Sequence, residues 1–198
     1  MQLDLVHDVQ SAYRMLIDSM SRPGMISNLS EEARKVDFQT ECSNSLIVIA
    51  LTLLDTEVTF KVISEHEAEV TQFINQLTYA KSTTADQADY IFILQDATDE
   101  QLQKTIQMAK HGDLVNPQES ATLIIEVDEV TAGRELMLRG PGIRTEEYVH
   151  ISATGDWIDL RAEKNGDFPL GIDLLFIDLN HNLLAIPRTT QVMKQVIK

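Results

Sequence analysis

A single cysteine, Cys42, excludes an intrachain disulfide and fits a reducing compartment. No apolar run reaches the roughly 18 residues expected of a membrane span. No cationic start followed by an apolar core marks a secretory signal, so a cytoplasmic location is expected. Basic residues are scarce: 16 Lys and Arg against 31 Asp and Glu leave a net charge of −15. That balance argues against nucleic acid and anionic membrane as partners, since both require a basic face. Familiar catalytic signatures are missing too, with no Gly-rich phosphate loop, dinucleotide fingerprint or nucleophile elbow. The five histidines, His7, His66, His111, His150 and His181, have no second histidine or cysteine at ligand spacing. Cys42 has no neighbouring motif that would lower its pKa. In a chain this acidic, pairs of carboxylates arise by chance, so no catalytic, cofactor-binding or metal-ligating residue is assigned.

What is present is an ordinary globular composition, 43% hydrophobic and 24% charged, over 198 residues. This length suits one domain, 1–198, with a sizeable core. Val9, Tyr13, Leu16, Ile17 and Met20 have helical spacing, stopped by Ser21-Arg22-Pro23-Gly24. Residues 27–42 read as an irregular surface excursion. Ser43 or Asn44 can cap an apolar helix from Leu46 to Leu54, and Val58–Ile63 reads as a strand. Ser64 and Glu67 have capping-box spacing ahead of Val70, Phe73, Ile74 and Leu77, as do Thr98 and Gln101 ahead of Leu102, Ile106 and Ala109. Tyr90–Leu94, Ala121–Val127, Glu135–Leu138 and, more weakly, Tyr148–Ile151 read as strands, followed by a short helix around Trp157–Arg161. Ile172–Ile177 and Leu183–Ile186 form a hairpin whose Asn180-His181-Asn182 turn tolerates positive φ. A terminal helix is expected from Thr190. Early strands alternate with helices and later ones follow closely, which predicts a mixed sheet in a three-layer α/β/α sandwich.

Two stretches ask for more than a fold. Gly140-Pro141-Gly142 forms a rigid turn with Arg139 and Arg144 on either side. Phe168-Pro169 precedes the hairpin, and Pro187-Arg188-Thr189-Thr190 follows it. Arginine offers a planar fork of donors, and a helix start at Thr189 or Thr190 would add backbone N–H groups. These groups could hold a phosphate or phosphonate oxygen. The plainer reading, in a chain with 31 acidic residues, is that the arginines find carboxylates and the threonines only cap a helix. The candidate anion or partner-docking residues are therefore Arg139, Pro141, Gly142, Arg144, Phe168, Pro169, Arg188, Thr189 and Thr190. Prolines at strand ends stop a sheet from growing, and arginine and aromatic residues are enriched in interfaces. Arg188→Ala is expected to impair assembly or activity with near-normal melting.

The blocks YRMLIDSMSRPG (13–24), LTLLDTEVTF (51–60), LMLRGPGI (136–143), FPLGIDLLF (168–176) and LLAIPRTT (183–190) together resemble the PhnH family of the bacterial carbon–phosphorus lyase system. Residues 64–111 and 28–44 carry no matching motif. The resemblance implies an α/β/α sandwich similar to pyridoxal-phosphate-dependent transferases but without the cofactor. It also implies a homodimer when alone, and entry into a core complex with the other phosphonate subunits. That complex attaches phosphonate to the ribose of a nucleoside triphosphate and displaces the base. A scaffold or assisting role is expected, because no nucleophile, base or metal cluster is visible. The rival reading is a stand-alone phosphate-ester transferase that holds its anion with Arg139, Arg144 and Arg188. Pyridoxal phosphate is expected to be absent, since Lys61, Lys81, Lys104, Lys110 and Lys164 all border polar segments.

Overall fold

The computed structural model describes residues 3–38, 40–153 and 155–195. Its helices are α1 (His7–Ser21), α2 (Ser30–Ala33), α3 (Asn44–Leu53), α4 (Glu67–Thr78), α5 (Asp99–Met108) and α6 (Trp157–Lys164). Its strands are β1 (Ile26–Asn28), β2 (Thr59–Ile63), β3 (Lys81–Ser82), β4 (Tyr90–Ile93), β5 (Thr122–Val127), β6 (Val130–Arg139), β7 (Glu147–Ile151), β8 (Asp173–Asp178), β9 (Asn182–Ile186) and β10 (Gln191–Lys194). Seven strands form a mixed sheet in the order β1-β9-β8-β5-β4-β2-β3. Its centre is parallel, through the pairs β2/β4, β4/β5 and β5/β8, and its β9 end is antiparallel.

Alternation along the strands feeds two cores, one on each face of this sheet. In β8, Leu175 and Ile177 join the core beneath α1, α3 and α4, while Leu174 and Phe176 join the opposite one. Every residue of β8 is buried, as expected of a central strand covered on both sides. The second core is closed by Leu102 and Ile106 of α5, by Trp157 and Ile158 of α6, and by β6 and β7. Those two strands belong to a separate antiparallel sheet, β10-β6-β7. One outer layer is therefore helical, and the other combines two helices with a small sheet.

Local chemistry explains most element boundaries. The Ser43 side chain accepts from the Leu46 N–H and caps α3. Thr98 and Gln101 form the expected reciprocal box on α5. The corresponding box on α4 does not form: Ser64 accepts from the His66 N–H at 2.9 Å and donates to Asp96 at 2.8 Å, and the helix starts from His66 without a side-chain cap. His181 takes φ 66° in the hairpin turn. Asp178 holds that turn by accepting from the Asn180 and Asn182 N–H groups, both at 2.8 Å.

Two other readings are corrected, and the buried face of the expected first helix is located. The stretch 27–42 is not simply an irregular excursion, since it contains the end of β1 and all of α2, and it buries Leu29 and Ala33 completely. The buried stripe of α1 runs through Ala12, Leu16 and Ser19, leaving Tyr13 and Ile17 exposed one position around the helix. The expected helix from Thr190 is strand β10, paired antiparallel to β6 with Gln191 opposite Arg139. Val192 and Met193 gain ladder partners there that an isolated terminal helix would lack.

Phe176 is fully buried, with its ring centroid 5.1 Å from that of Trp157. Phe176→Ala is expected to destabilise the protein by about 3–5 kcal/mol. Leu114→Ala, at a residue 76% exposed, is expected to stay within about 0.5 kcal/mol. Urea unfolding of both variants beside the parent checks the contrast.

Candidate functional site

The chain leaves β9 and enters β10 through Pro187–Thr190, a corner between the two sheets. The Thr190 N–H donates to the Pro187 carbonyl at 2.9 Å and closes this corner as a turn. Gly140 lies against it: a Cβ at Gly140 would sit 2.9 Å from the Thr189 carbonyl oxygen. Gly142, at φ +84°, lies against the end of α1, where an added Cβ would come within 2.2 Å of the Ser21 carbonyl oxygen. The turn after β6 thus uses its glycines for backbone contact with two distant segments.

A cleft of about 600 Å³ opens beside this corner. Its lining includes Pro141, Phe168, Arg188, Thr189 and Thr190, drawn from three separate stretches of the sequence. Phe168 is 79% exposed at its edge. Arg139, Gly142, Arg144 and Pro169 do not line it. Arg139 donates to Glu146 at 2.8 Å on a half-exposed surface. Arg144 is exposed, with no ion pair among the described residues. Of the three arginines, only Arg188 lines this cleft.

Arg188 is a fork-on-fork partner of Asp173. Its Nη2 donates to Oδ2 at 2.6 Å and its Nε to Oδ1 at 3.4 Å. The backbone N–H of Arg188 adds a bond to Oδ1 at 2.6 Å, and Nη1 donates to the Pro117 carbonyl at 2.5 Å. Side-chain exposures of 19% and 10% make this a largely buried pair. The expectation of near-normal melting after Arg188→Ala gives way accordingly, because the substitution would leave Asp173 buried without its partner.

Sequence reasoning missed Arg161 and Asn165, both on this cleft. Arg161 is 3% exposed and has no ion-pair partner among the described residues. Its Nη1 donates to the Thr190 carbonyl at 3.0 Å, and its Nη2 to those of Pro187 at 2.6 Å and Ile186 at 3.5 Å. Burial pushes this guanidinium down to about 10, with the Asp173 charge opposing the shift. Asn165 donates to the carbonyls of Ile172 and Arg188 and accepts from the Ile172 N–H at 2.8 Å. The signal for Arg161 was its place three and four residues after Ile158 and Trp157, on the buried face of α6.

A second cleft, about 520 Å³, lies outside the carboxyl ends of β4, β5 and β8, where open α/β sheets commonly bind ligands. Its chemistry is opposite, with Glu41, Asp96, Glu126 and Asp178 among its walls. Burial pushes the Glu126 carboxyl up, against hydrogen bonds from Ser43 and Gln95. Burial also pushes the Cys42 thiol up, so it is not an activated nucleophile. Among the described residues no group of three or more His, Cys, Asp or Glu side chains could hold a metal.

Comparison with known proteins is consistent across the chain. The family model for the bacterial phosphonate metabolism protein (PhnH) matches residues 2–193. The chain is 32% identical over 197 residues to the alpha-D-ribose 1-methylphosphonate 5-triphosphate synthase subunit PhnH of Rhizobium meliloti (strain 1021), covering 97% of this chain and 94% of that one. It is 29% identical over 184 residues to HtxG of Stutzerimonas stutzeri, a protein named as a C-P lyase subunit, covering 92% and 85% respectively.

Arg188→Ala is expected to cost about 3–5 kcal/mol, since it strands a buried carboxylate. Replacing both partners, as Arg188→Met with Asp173→Leu, should recover part of that loss. Thermal melting of the single and double variants measures the coupling.

Proposed function

Because the chain belongs to the PhnH family, we propose that it is a subunit of the carbon–phosphorus lyase system, which uses organic phosphonates. In this role it joins the complex that transfers phosphonate to the ribose of a nucleoside triphosphate with displacement of the base. The carrying observation is the alignment with the synthase subunit, which spans 97% of this chain and 94% of that relative. A scaffold or assisting role is the best-supported one. The Arg161 guanidinium and the Asn165 amide at the sheet corner are engaged in holding backbone, and the Cys42 thiol in the acid-walled cleft is pushed up by burial. The other subunits of the complex are its partners, in the cytoplasm. Among the described residues no helix is long and apolar enough to cross a membrane.

Alone, the chain forms a homodimer in this reading. Leu5, Val6, Tyr13 and Ile17 support it, being 65%, 72%, 51% and 49% exposed at or on α1. A second copy would remove that apolar surface from water. Kinship with pyridoxal-phosphate-dependent transferases is proposed for the fold, on the strength of the large mixed sheet packed between layers. The cofactor is not part of the proposal. A Schiff-base lysine works from a desolvated pocket, whereas no described lysine is buried. Lys35, Lys61, Lys110 and Lys194 are engaged with Asp8, Glu67, Asp89 and Asp159.

Co-expression with the other phosphonate subunits, followed by size-exclusion chromatography with light scattering, tests the assignment. The chain should elute in their complex, and at twice its monomer mass when purified alone. Elution apart from every subunit would overturn the assignment. In the same samples, incubation with pyridoxal phosphate is expected to leave no Schiff-base absorbance after desalting.

A further inference from the structure

The cleft beside Pro187–Thr190 contains two guanidiniums and, among the described residues, one carboxylate in an ion pair with either of them. Asp173 is taken by Arg188 at 2.6 Å. Arg161 donates to backbone carbonyls, and its Nε–H has no hydrogen-bond partner among the described residues. Thr190, 2% exposed, likewise has an unpartnered hydroxyl oxygen. Four side-chain atoms among the described residues are buried and unpaired, and two of them belong to residues that line this one cleft. A buried polar atom without a partner is costly, and a buried cation without a counter-charge more so.

The walls also depart from the rest of the protein. The chain carries 31 acidic residues and a net charge of −15, yet none of the residues lining this cleft is Asp or Glu. The acid-walled cleft at the strand ends shows how unusual that is. Arg188 is 19% exposed in its side chain and has further N–H hydrogens beyond those used on Asp173 and Pro117. Thr189 is exposed at the same corner. Ile158, Phe168, Val192 and Met193 supply apolar walls. The volume, about 600 Å³, exceeds the needs of a bare inorganic ion and lies in the range of small-molecule sites.

We propose that this cleft binds a small organic phosphate or phosphonate, its oxyanion on Arg188, Thr189, Thr190 and Arg161 and its organic part against Phe168, Val192 and Met193. Arg161 supplies the charge from the floor, where low polarity strengthens its attraction. Its Nε–H and the Thr190 hydroxyl become satisfied when the floor parts to admit an oxygen. The lowered proton affinity of Arg161 comes from its burial, which the Asp173 charge only partly opposes, and a bound anion would add to that opposition. This site goes beyond the subunit assignment and does not depend on it, because the chain alone carries all the groups.

The test is calorimetric titration of the purified chain with inorganic phosphate, methylphosphonate and a nucleoside triphosphate, at constant ionic strength. At least one organic probe should bind saturably with a dissociation constant below about 1 mM. Arg161 also holds the corner together, so its removal could unfold the chain. Two gentler variants carry the test. Thr190→Val, which keeps shape and removes only the hydroxyl, should weaken binding by about tenfold. Gln191→Glu places a carboxylate among the cleft's walls at an exposed position. It should weaken binding by at least about tenfold while leaving melting equal or higher. Methylphosphonate binding as tightly as the triphosphate would assign the cleft to the phosphonyl group, and the reverse order to a phosphoryl chain. The proposal is overturned if no probe binds saturably, or if binding survives Gln191→Glu unchanged. It is also overturned if only a partner subunit's association responds to Gln191→Glu, since the cleft then receives an acidic protein side chain. None of these failures bears on whether the chain elutes with the other subunits.

Discussion

Four residues, Pro187 to Thr190, carry the chain from the seven-stranded sheet to the three-stranded one, and the buried Arg161 guanidinium holds the carbonyls of Ile186, Pro187 and Thr190 across that corner. Much of the surrounding structure depends on this grip. It anchors α6 at the point where the two sheets meet, and it sets where β10 can begin. Asn165, the residue that follows the last turn of α6, bonds to the Arg188 carbonyl and to both backbone polar groups of Ile172. The same short helix therefore fixes the entry to β8 and the exit from β9. Asp173 and Arg188 then lock those two points to each other. A lysine at position 161 could not reproduce this arrangement, because it lacks the planar fork that spans several carbonyls.

Charge is distributed against the average of the molecule. An overall excess of carboxylates makes an acid-walled cleft unsurprising, and the one at the strand ends has that character. The corner cleft is the exception, and its exceptionality has a structural origin. The guanidiniums are present because the corner needs multidentate donors to hold backbone carbonyls together. Once such donors are buried with a single carboxylate to share, a residual positive field remains at the cleft. A structural requirement and a capacity for anion recognition thus arise from the same residues.

Distant sequence blocks meet through their backbones more than through their side chains. Ser21 at the end of α1 touches Gly142, and Gly140 touches Thr189 and Thr190. Gly24 lies so near Glu147 that an added Cβ would come within 2.6 Å of the Glu147 Cβ. The short proline- and glycine-rich blocks that carry the family resemblance are therefore packed on one another at one end of the molecule. Their residue types reflect close approach, where a side chain would collide, together with a small number of polar clamps. This accounts for motifs that look like a site in the sequence while most of their members hold the backbone.

What the sequence determined by itself was local. Short continuous apolar runs specified the central strands, Thr98 with Gln101 and Ser43 specified helix starts, and Asn180-His181-Asn182 specified a tight turn, because each depends on residues within a few positions of one another. The corner cleft was partly legible, since Pro141, Phe168, Arg188, Thr189 and Thr190 already stood out as unusual. What only the tertiary structure decided were the states that depend on distant partners. Gln191–Lys194 is a strand because β6 offers it a ladder, although nothing in four residues declares that edge to be open. Ser64 lies ahead of α4 without capping it, its hydroxyl joining the His66 N–H to Asp96, thirty-two positions away. Arg188 is a buried ion pair because Asp173 arrives from the neighbouring strand. Arg161 became a buried cation only when the sheet corner closed over it. Local pattern fixes backbone conformation through sterics and short-range hydrogen bonds, whereas the pairing of charges depends on proximity that folding alone creates.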